Sequence, residues 1–179
     1  AAQLFDNIPK IRRYLATQPR PMNTTKTYGA DGNKFGHTNQ DGIERFWRHL
    51  LAGAASMRFH RPDSGLGLND QAVAAIRAAR KLESKIPLWT VQPANELLSD
   101  RTPNEAYLAA AAGRAYALYF PAGGEVQLDL SAAQGKLAAH WVNINTGEWG
   151  PTQEVAGGEK LTISPPNDGN WAAAIVALE

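Results

Sequence analysis

Apolar residues recur at helical spacing in three segments of the first half of the chain. This spacing predicts one helix over residues 5–17, a second capped by Asp41 and a third capped by Asn69 or Asp70. Asn7 carries a short polar side chain of the kind that caps helix N-termini, and we expect it to cap the first helix. On the third helix, the residues expected to face the core are Ala72, Val73, Ile76, Ala79 and Leu82.

Two short strands are predicted between these helices. Residues 22–28 are rich in threonine and follow a proline, and residues 56–60 form a second short run. Polar stretches that contain glycine follow each strand, at 29–40 and 62–67, and they predict loops. Strands that alternate with helices in this way indicate parallel βα units.

The second half consists of short runs in which apolar residues alternate. The predicted strands cover residues 106–109, 114–120, 126–130, 137–144, 148–149, 160–163 and 171–178. Turn sequences rich in Gly, Pro and Asn separate them at intervals of about 8–12 residues, which is typical of an antiparallel sandwich or barrel. Within the second of these strands, the alternate set Arg114, Tyr116, Leu118 and Phe120 is expected to face inward.

The charge distribution supports two units, residues 1–86 and residues 87–179. The whole chain of 179 residues has a formal net charge of +1. The first unit holds 14 Lys and Arg against 7 Asp and Glu, whereas the second holds 4 against 10. The cations of the first unit are scattered over helix faces, so we expect no nucleic-acid partner. The two oppositely charged halves could instead attract each other.

Composition excludes several classes of chemistry. The chain has no cysteine, so it has no disulfide, no thiol nucleophile and no Cys-based metal site. Its four histidines lack metal-ligand spacing, and we expect neither a metal nor a cofactor. No apolar run approaches the roughly 20 residues of a membrane span, so we expect no membrane partner.

Two βα units are too few for an independent parallel sheet with both faces covered. A complete (β/α)8 barrel takes about 250 residues. The first unit is therefore either a small α/β layer that leans on the second unit or the last part of a larger barrel, and we favour the barrel. Unpaired strand edges then predict a homo-oligomer or a partner that supplies the missing barrel portion.

Sequence motifs in both units resemble those of known proteins. Residues 20–29 (RPMNTTKTYG), Phe46-Trp47-Arg48 and residues 58–62 (RFHRP) resemble the last two βα units of a (β/α)8 barrel of the glycoside-hydrolase type. The group they are most similar to is the apiosidase-like hydrolases. Residues 116–120 (YALYF), with Trp141 and Trp171 further along the chain, are similar to the β-domain that follows that barrel, often labelled a "putative collagen-binding" domain.

The resemblance implies a fold and a setting for this chain. The expected fold is the last βα units of a (β/α)8 barrel followed by an antiparallel β-sandwich. The expected partner is an oligosaccharide or polysaccharide, and the expected location is secreted or periplasmic. The label of the β-domain says little about chemistry, so we do not predict collagen binding.

Candidate catalytic residues follow from the same resemblance. It implies a nucleophilic carboxylate at the end of the seventh barrel strand, but the equivalent run 22–28 contains none and has Lys26 about where that carboxylate would stand. Asp31, in the following loop, could serve a different geometry, although a turn residue is the simpler interpretation. His60 can donate or accept a proton near neutral pH. The candidate catalytic residues are thus Lys26, Asp31 and His60.

Candidate substrate-binding residues lie at the predicted strand ends. Barrel active sites form at the carboxyl ends of the strands, which places Tyr28, Arg58 and Arg61 at the mouth. Arg58 and His60 are two residues apart and share a strand face, where a guanidinium and an imidazole suit an anionic or hydroxyl-rich sugar. They could equally bond backbone carbonyls or Asp63 and only shape the loop. Trp149, beside a Gly-Pro turn, is the best candidate for an exposed sugar platform.

These observations predict the C-terminal portion of a carbohydrate-active, glycoside-hydrolase-like protein. It should be catalytically inert alone, because the strand expected to carry the acid/base carboxylate is missing. An alternative is a non-catalytic carbohydrate-binding or scaffolding module. A weaker alternative is a complete small enzyme, which requires Lys26, Arg58 and His60 in one concave site.

Overall fold

The first half of the chain folds as helix, strand, helix, strand and helix, as predicted. The computed structural model describes residues 2–178. The elements are α1 (Ala2–Tyr14), β1 (Asn23–Thr27), α2 (Asn39–Leu51), β2 (Ser56–Phe59) and α3 (Asp70–Lys85). Strands β1 and β2 are parallel neighbours in a two-stranded sheet, so the predicted βα arrangement is confirmed.

Two of the predicted helix starts are wrong. Helix α1 begins at Ala2, so Asn7 lies inside it and cannot be its cap. Helix α2 is capped by Thr38, whose hydroxyl accepts a hydrogen bond from the Asp41 amide at 3.1 Å. The Asp41 carboxylate in turn accepts from the Thr38 amide at 2.8 Å, which completes a capping box. Asp41 is therefore the N3 residue of the capping box and not the N-cap itself. The third helix is capped by Asn69, one of the two predicted residues.

The second half forms two antiparallel sheets, which confirms the predicted sandwich. Its strands are β3 (Gln92–Pro93), β4 (Leu98–Ser99), β5 (Tyr107–Ala111), β6 (Ala115–Phe120), β7 (Val126–Asp129), β8 (Lys136–Asn143), β9 (Glu148–Ala156), β10 (Lys160–Ile163) and β11 (Trp171–Ala177). One sheet has the order β3-β5-β6-β11-β8-β9 and the other has the order β10-β7-β4. The two-residue strands β3 and β4 were not predicted, because such short segments show no alternation.

The inner strands of the six-stranded sheet, β5, β6, β11 and β8, are buried on both faces. Tyr116, Leu118 and Phe120 pack in the core shared with the three-stranded sheet. Ala117 and Tyr119, on the opposite face, belong to a second core that includes residues of all three helices. The expectation that this alternate set faces inward is correct for Tyr116, Leu118 and Phe120 but wrong for Arg114, which is exposed in the turn before β6. The helices cover the opposite face of the strand. Since residues of both halves share this second core, the division at residues 86 and 87 stays a sequence-based prediction.

Helix α3 approaches the sheet through alanines. Its buried residues are Ala72, Ala74, Ala75, Ala78, Ala79 and Leu82. Val73 and Ile76 are 41% and 36% exposed, so the prediction that they face the core is wrong. Small side chains allow the helix to lie close to the sheet. A Cβ built on Gly147 would stand 2.8 Å from the Ala74 carbonyl oxygen, which shows how close the approach is.

A buried polar cluster joins α2 to the second half of the chain, residues 87–179, which we call the β-domain. The Arg48 guanidinium is almost completely buried and donates to the Glu44 carboxylate and to the Asn104 side-chain carbonyl. The Tyr107 hydroxyl donates to the same Asn104 oxygen at 2.8 Å, and the Arg48 guanidinium lies 5.2 Å from the Tyr107 ring centroid. This cluster, named here the Arg48 cluster, fixes α2 against β5.

A second polar contact joins the start of α2 to the β-domain. The Asn170 side-chain amide donates to the Gln40 side-chain oxygen at 2.8 Å and to that of Asn145 at 3.1 Å. The Tyr119 hydroxyl donates to the Asn170 oxygen at 3.3 Å. Residues 130 positions apart in sequence are thus directly bonded across the two halves.

His49, on the same helix, is buried without a hydrogen-bond partner for Nδ1 among the described residues. Burial, together with the positive charges of Arg45 and Arg48, lowers the pKa of His49 from 6.5 to about 4. The folded protein therefore keeps this imidazole neutral at pH values where the unfolded chain protonates it.

This difference predicts a loss of stability in acid. The free energy of unfolding should fall by about 3 kcal/mol, through His49 alone, as the pH drops from about 6.5 to about 4, since each pKa unit is worth about 1.4 kcal/mol. Urea unfolding at pH 7 and pH 4 should show a smaller fall for His49→Gln than for the wild type. Arg80→Gln, at an exposed position on α3, offers the control and should retain the full fall. An unchanged pH dependence in His49→Gln would contradict the assignment.

The two-stranded sheet is covered on one face only. Phe59 of β2 stacks on Phe46 of α2 with ring centroids 4.8 Å apart, and Thr27 of β1 is also buried. The opposite face of β1 and β2 carries exposed polar side chains. Within residues 2–178, no helix combines the length and the apolar character needed to cross a membrane.

Candidate functional site

The carboxyl ends of β1 and β2 bring Tyr28 and His60 together. Thr27 pairs with Phe59 at the end of the parallel ladder, and the His60 amide donates to the Thr27 carbonyl at 3.0 Å. The residues that follow each strand then meet, and the rings of Tyr28 and His60 lie 4.9 Å apart at an angle of 54°. The resulting group is a phenol and an imidazole in direct contact.

Arg58 lies on the same side of this sheet as His60, because side chains alternate between the faces of a strand and the intervening Phe59 is buried under α2. Tyr28 contacts His60, and Lys26 lies in the irregular stretch of β1 between Thr24 and Thr27, where the pairing register shifts. Lys26 and Arg58 are exposed, and His60 is half-buried. We name these four residues, Lys26, Tyr28, Arg58 and His60, the open-face group. The face is exposed rather than enclosed, which does not match the concave site that a complete small enzyme requires.

The loops behind the group are fixed by backbone contacts. The Gly29 amide donates to the Ser64 carbonyl at 3.2 Å, so the two strand-end loops are bonded to each other. A Cβ on Gly65 would stand 2.6 Å from the His60 carbonyl oxygen, and only glycine allows this approach. Arg45 of α2 donates to the Tyr28 carbonyl at 2.8 Å. The sequence gives no signal for this role of Arg45, because a cation on a helix normally faces solvent.

Asp31 and Arg61 have partners within their own loops. The Asp31 carboxylate accepts from the Asn39 amide at 2.9 Å, and the Asn39 side chain accepts from the Asp31 amide at 3.0 Å. This reciprocal pair closes the loop before α2 and agrees with a structural role for Asp31. Arg61 Nε lies 2.9 Å from the Asp63 carboxylate in an exposed ion pair. The Asp63 carboxylate, which was considered as a partner for Arg58 or His60, is thus paired with Arg61.

Trp149 lies in the β-domain, on β9 beside α3. Its side chain is 39% exposed, whereas Trp141 and Trp171 are buried in the sandwich core. Lys81 Nζ lies 6.0 Å from the centroid of the Trp149 ring, and the His140 ring lies 6.3 Å from it. Trp149 is therefore an exposed aromatic side chain with its own polar neighbours. A more exposed tryptophan, Trp89 at 76%, precedes β3 and was not singled out from the sequence.

The open-face group lacks the carboxylates of ordinary glycoside hydrolysis. A retaining glycosidase needs two carboxylates about 5–5.5 Å apart. The group instead offers an ammonium, a guanidinium, a phenol and an imidazole, which suit hydroxyl and carboxylate oxygens. Within residues 2–178, no cluster of three or more His, Asp or Glu side chains is arranged to hold a metal ion.

A groove of about 860 Å³ lies elsewhere, between α1 and the segment 92–96. Phe5, Pro9 and Arg13 line one wall, and Pro93 and Glu96 line the other. None of the predicted site residues lines this groove. The polar side chains that could bind a ligand meet at the strand ends instead.

A protein-family model matches the second half of the chain. Residues 92–179 match the sequence model of the family described as "Putative collagen-binding domain of a collagenase". The β-domain resemblance is thereby supported by a match to nearly its whole length. No curated protein sequence matches the chain.

Solved structures resemble the chain over both halves. A chain described as a glycoside hydrolase aligns with 96% of this one at 14% identity and a TM-score of 0.69. A family 5 glycoside hydrolase from Bacteroides vulgatus aligns with 96% at 14% identity and a TM-score of 0.67. A noncanonic maltogenic α-amylase from Thermotoga neapolitana aligns with 98% at 13% identity and a TM-score of 0.51.

These likenesses concern the fold. The chain spans about half of each of those structures, with 46%, 45% and 46% of their lengths covered. The arrangement of βα units joined to a β-sandwich therefore occurs within longer proteins.

Proposed function

We propose that this chain is the C-terminal part of a carbohydrate-active, glycoside-hydrolase-like protein. In this proposal β1 and β2 are the last two strands of a (β/α)8 barrel, and residues 87–179 form its accessory β-domain. The proposal includes membership of the apiosidase-like group and a location outside the cytoplasm. Its support is the one-sided β1–β2 sheet, whose polar face and outer edges would be covered in a closed barrel.

The open-face group is then part of the sugar site at the mouth of the barrel. Barrel strands turn alternate side chains inward, and α2 lies on the outer face of β1 and β2, so Arg58 would face the lumen, with the exposed Lys26 on the neighbouring strand. Tyr28 and His60, at the strand ends, would stand at the mouth. Arg58 would bind sugar oxygens, and His60 would exchange a proton or a hydrogen bond with a sugar hydroxyl.

The carboxylates for hydrolysis would come from barrel strands outside this chain. Lys26 cannot form a glycosyl ester, and the carboxylate of Asp31 is engaged by the Asn39 amide. We therefore assign binding and positioning to this chain and expect no turnover from it alone. A second copy or the remaining barrel portion would pair with the free edges of β1 and β2.

The test combines a hydrolysis screen with sugar binding by the isolated chain. Plant and algal oligosaccharides should not be cleaved, but a bound sugar should perturb the NMR signals of the Tyr28 and His60 side chains. Arg58→Gln should weaken this binding about 10- to 100-fold, the range expected for a hydrogen bond to a charged group. Arg80→Gln, at an exposed position on α3, is the matched control and should bind normally.

Two results would overturn parts of this proposal. Cleavage by the isolated chain would exclude the assignment of the carboxylates to another part of the protein. Sugar binding that leaves Tyr28 and His60 unperturbed would exclude the open-face group as the site.

A further inference from the structure

A row of cations on α3 faces the edge of the β-domain. Arg77, Lys81 and Lys85 are spaced four residues apart and share one side of the helix. Lys81 Nζ lies 2.6 Å from one oxygen of the Glu148 carboxylate, and Arg77 lies 3.3 Å from the other. Because Glu148 is the first residue of β9, these contacts place the row along the junction between α3 and that strand.

An exposed aromatic ring stands at the same junction. Trp149 follows Glu148, and the ammonium of Lys81 and the ring of His140 approach its indole. His140 Nδ1 lies 3.1 Å from the Thr152 hydroxyl, so two hydrogen-bonding side chains lie beside the ring. We name this surface, formed by Lys81, Lys85, His140, Trp149 and Thr152, the α3–β9 patch.

The patch carries positive charge that the protein does not fully neutralise. Glu148 compensates Arg77 and Lys81, but no carboxylate of residues 2–178 lies within ion-pair distance of Lys85. Burial and the nearby positive charge of Lys85 lower the pKa of His140. Lys85 is exposed and lies one helical turn beyond Lys81, on the side of α3 that carries the cation row.

We propose that the α3–β9 patch binds a uronate residue of an acidic glycan. The face of a sugar ring is apolar and packs on an indole, so Trp149 supplies the platform. The ammonium of Lys85 binds the uronate carboxylate, and Thr152 and His140 bond the hydroxyls. A continuous polyphosphate is disfavoured, because the Glu148 carboxylate lies among the cations of this junction and would repel neighbouring phosphates.

The experiment compares two polysaccharides that differ only in their carboxylates. Affinity gel electrophoresis of the whole chain is run with glucuronoxylan and with the same polymer after chemical reduction of its carboxyl groups. Glucuronoxylan should retard the protein, and the reduced polymer should retard it much less. Lys85→Gln and Trp149→Ala should each raise the dissociation constant about tenfold.

Matched variants outside the patch provide the controls. Trp89→Ala removes a more exposed indole, and Lys160→Gln removes an exposed cation of β10, and both should bind as the wild type does. Sulfated dextran and single-stranded DNA test whether any polyanion suffices. Thermal unfolding checks that each variant is folded. If Trp149→Ala is unstable, the proposal is judged from the binding of Lys85→Gln.

Several outcomes would overturn the proposal. These are no retardation by glucuronoxylan, equal retardation by the reduced polymer, equal retardation by DNA, or unchanged binding in Lys85→Gln. Stronger binding to sulfated dextran than to glucuronoxylan would indicate that the ligand is a sulfated sugar, and it would also reject the proposal.

Discussion

Arg48→Met is expected to lower the free energy of unfolding by about 3–5 kcal/mol. The Arg48 guanidinium is buried between Glu44 and Asn104, and its removal leaves the Glu44 carboxylate in a nearly dry site without its counter-charge. Loss of the contact with the Tyr107 ring adds to the effect. Urea unfolding at pH 7, followed by circular dichroism, measures the change.

The reason for this loss can be tested with a double variant. Most of the cost arises from an unpaired buried charge, so Glu44→Met combined with Arg48→Met should be less destabilised than the sum of the two single variants. Arg80→Met is the matched control, because the Arg80–Glu83 pair is exposed and should change stability by less than about 1 kcal/mol. Additive effects of the two α2 substitutions would contradict the buried pair as the cause.

Trp47→Ala is also expected to lower the free energy of unfolding by about 3–5 kcal/mol, because it leaves a cavity in the core. The side chain is completely buried and stacks on Tyr119 of β6 with ring centroids 5.6 Å apart. Its indole nitrogen has no hydrogen-bond partner among the described residues, so the loss is one of packing. Thermal and urea unfolding of the variant should show a lower midpoint.

Trp89→Ala gives the corresponding control. Trp89 is 76% exposed, and its replacement should change stability by no more than about 0.5 kcal/mol. Because Trp47 joins α2 to the six-stranded sheet, its loss should destabilise both halves in one transition. Separate unfolding of the helical half in Trp47→Ala, with the β-domain unaffected, would show that the shared core contributes less than expected.

Helix and strand positions were largely predictable because they depend on local periodicity and on turn residues. The predicted run 160–163 coincides with β10, and predicted 171–178 differs from β11 only at its end. Helix starts were less predictable. Asn7 and Asp41 both have capping side chains, but α1 extends further toward the N-terminus and Thr38 completes the box at α2. Several residues compete for a cap, and sequence spacing alone does not rank them.

The sites were predictable in part. The meeting of Tyr28 and His60 followed from the rule that parallel strands end at one edge. The engagement of Asp31 by Asn39 was not predictable, because a loop of this length can close in several ways. Trp149 was singled out as exposed, but its neighbours Lys81 and His140 come from α3 and β8, and no local pattern connects them.

Local patterns in the chain were enough to predict the classes of element, their order, the lack of cysteine chemistry and the polar character of the strand ends. Which surfaces are covered became visible only in the folded protein. Helices pack on the second face of the six-stranded sheet, bury Arg48 and expose Val73. The reason is physical: burial depends on contacts such as Gln40 with Asn170, between residues 130 positions apart, and periodicity within a segment carries no information about them.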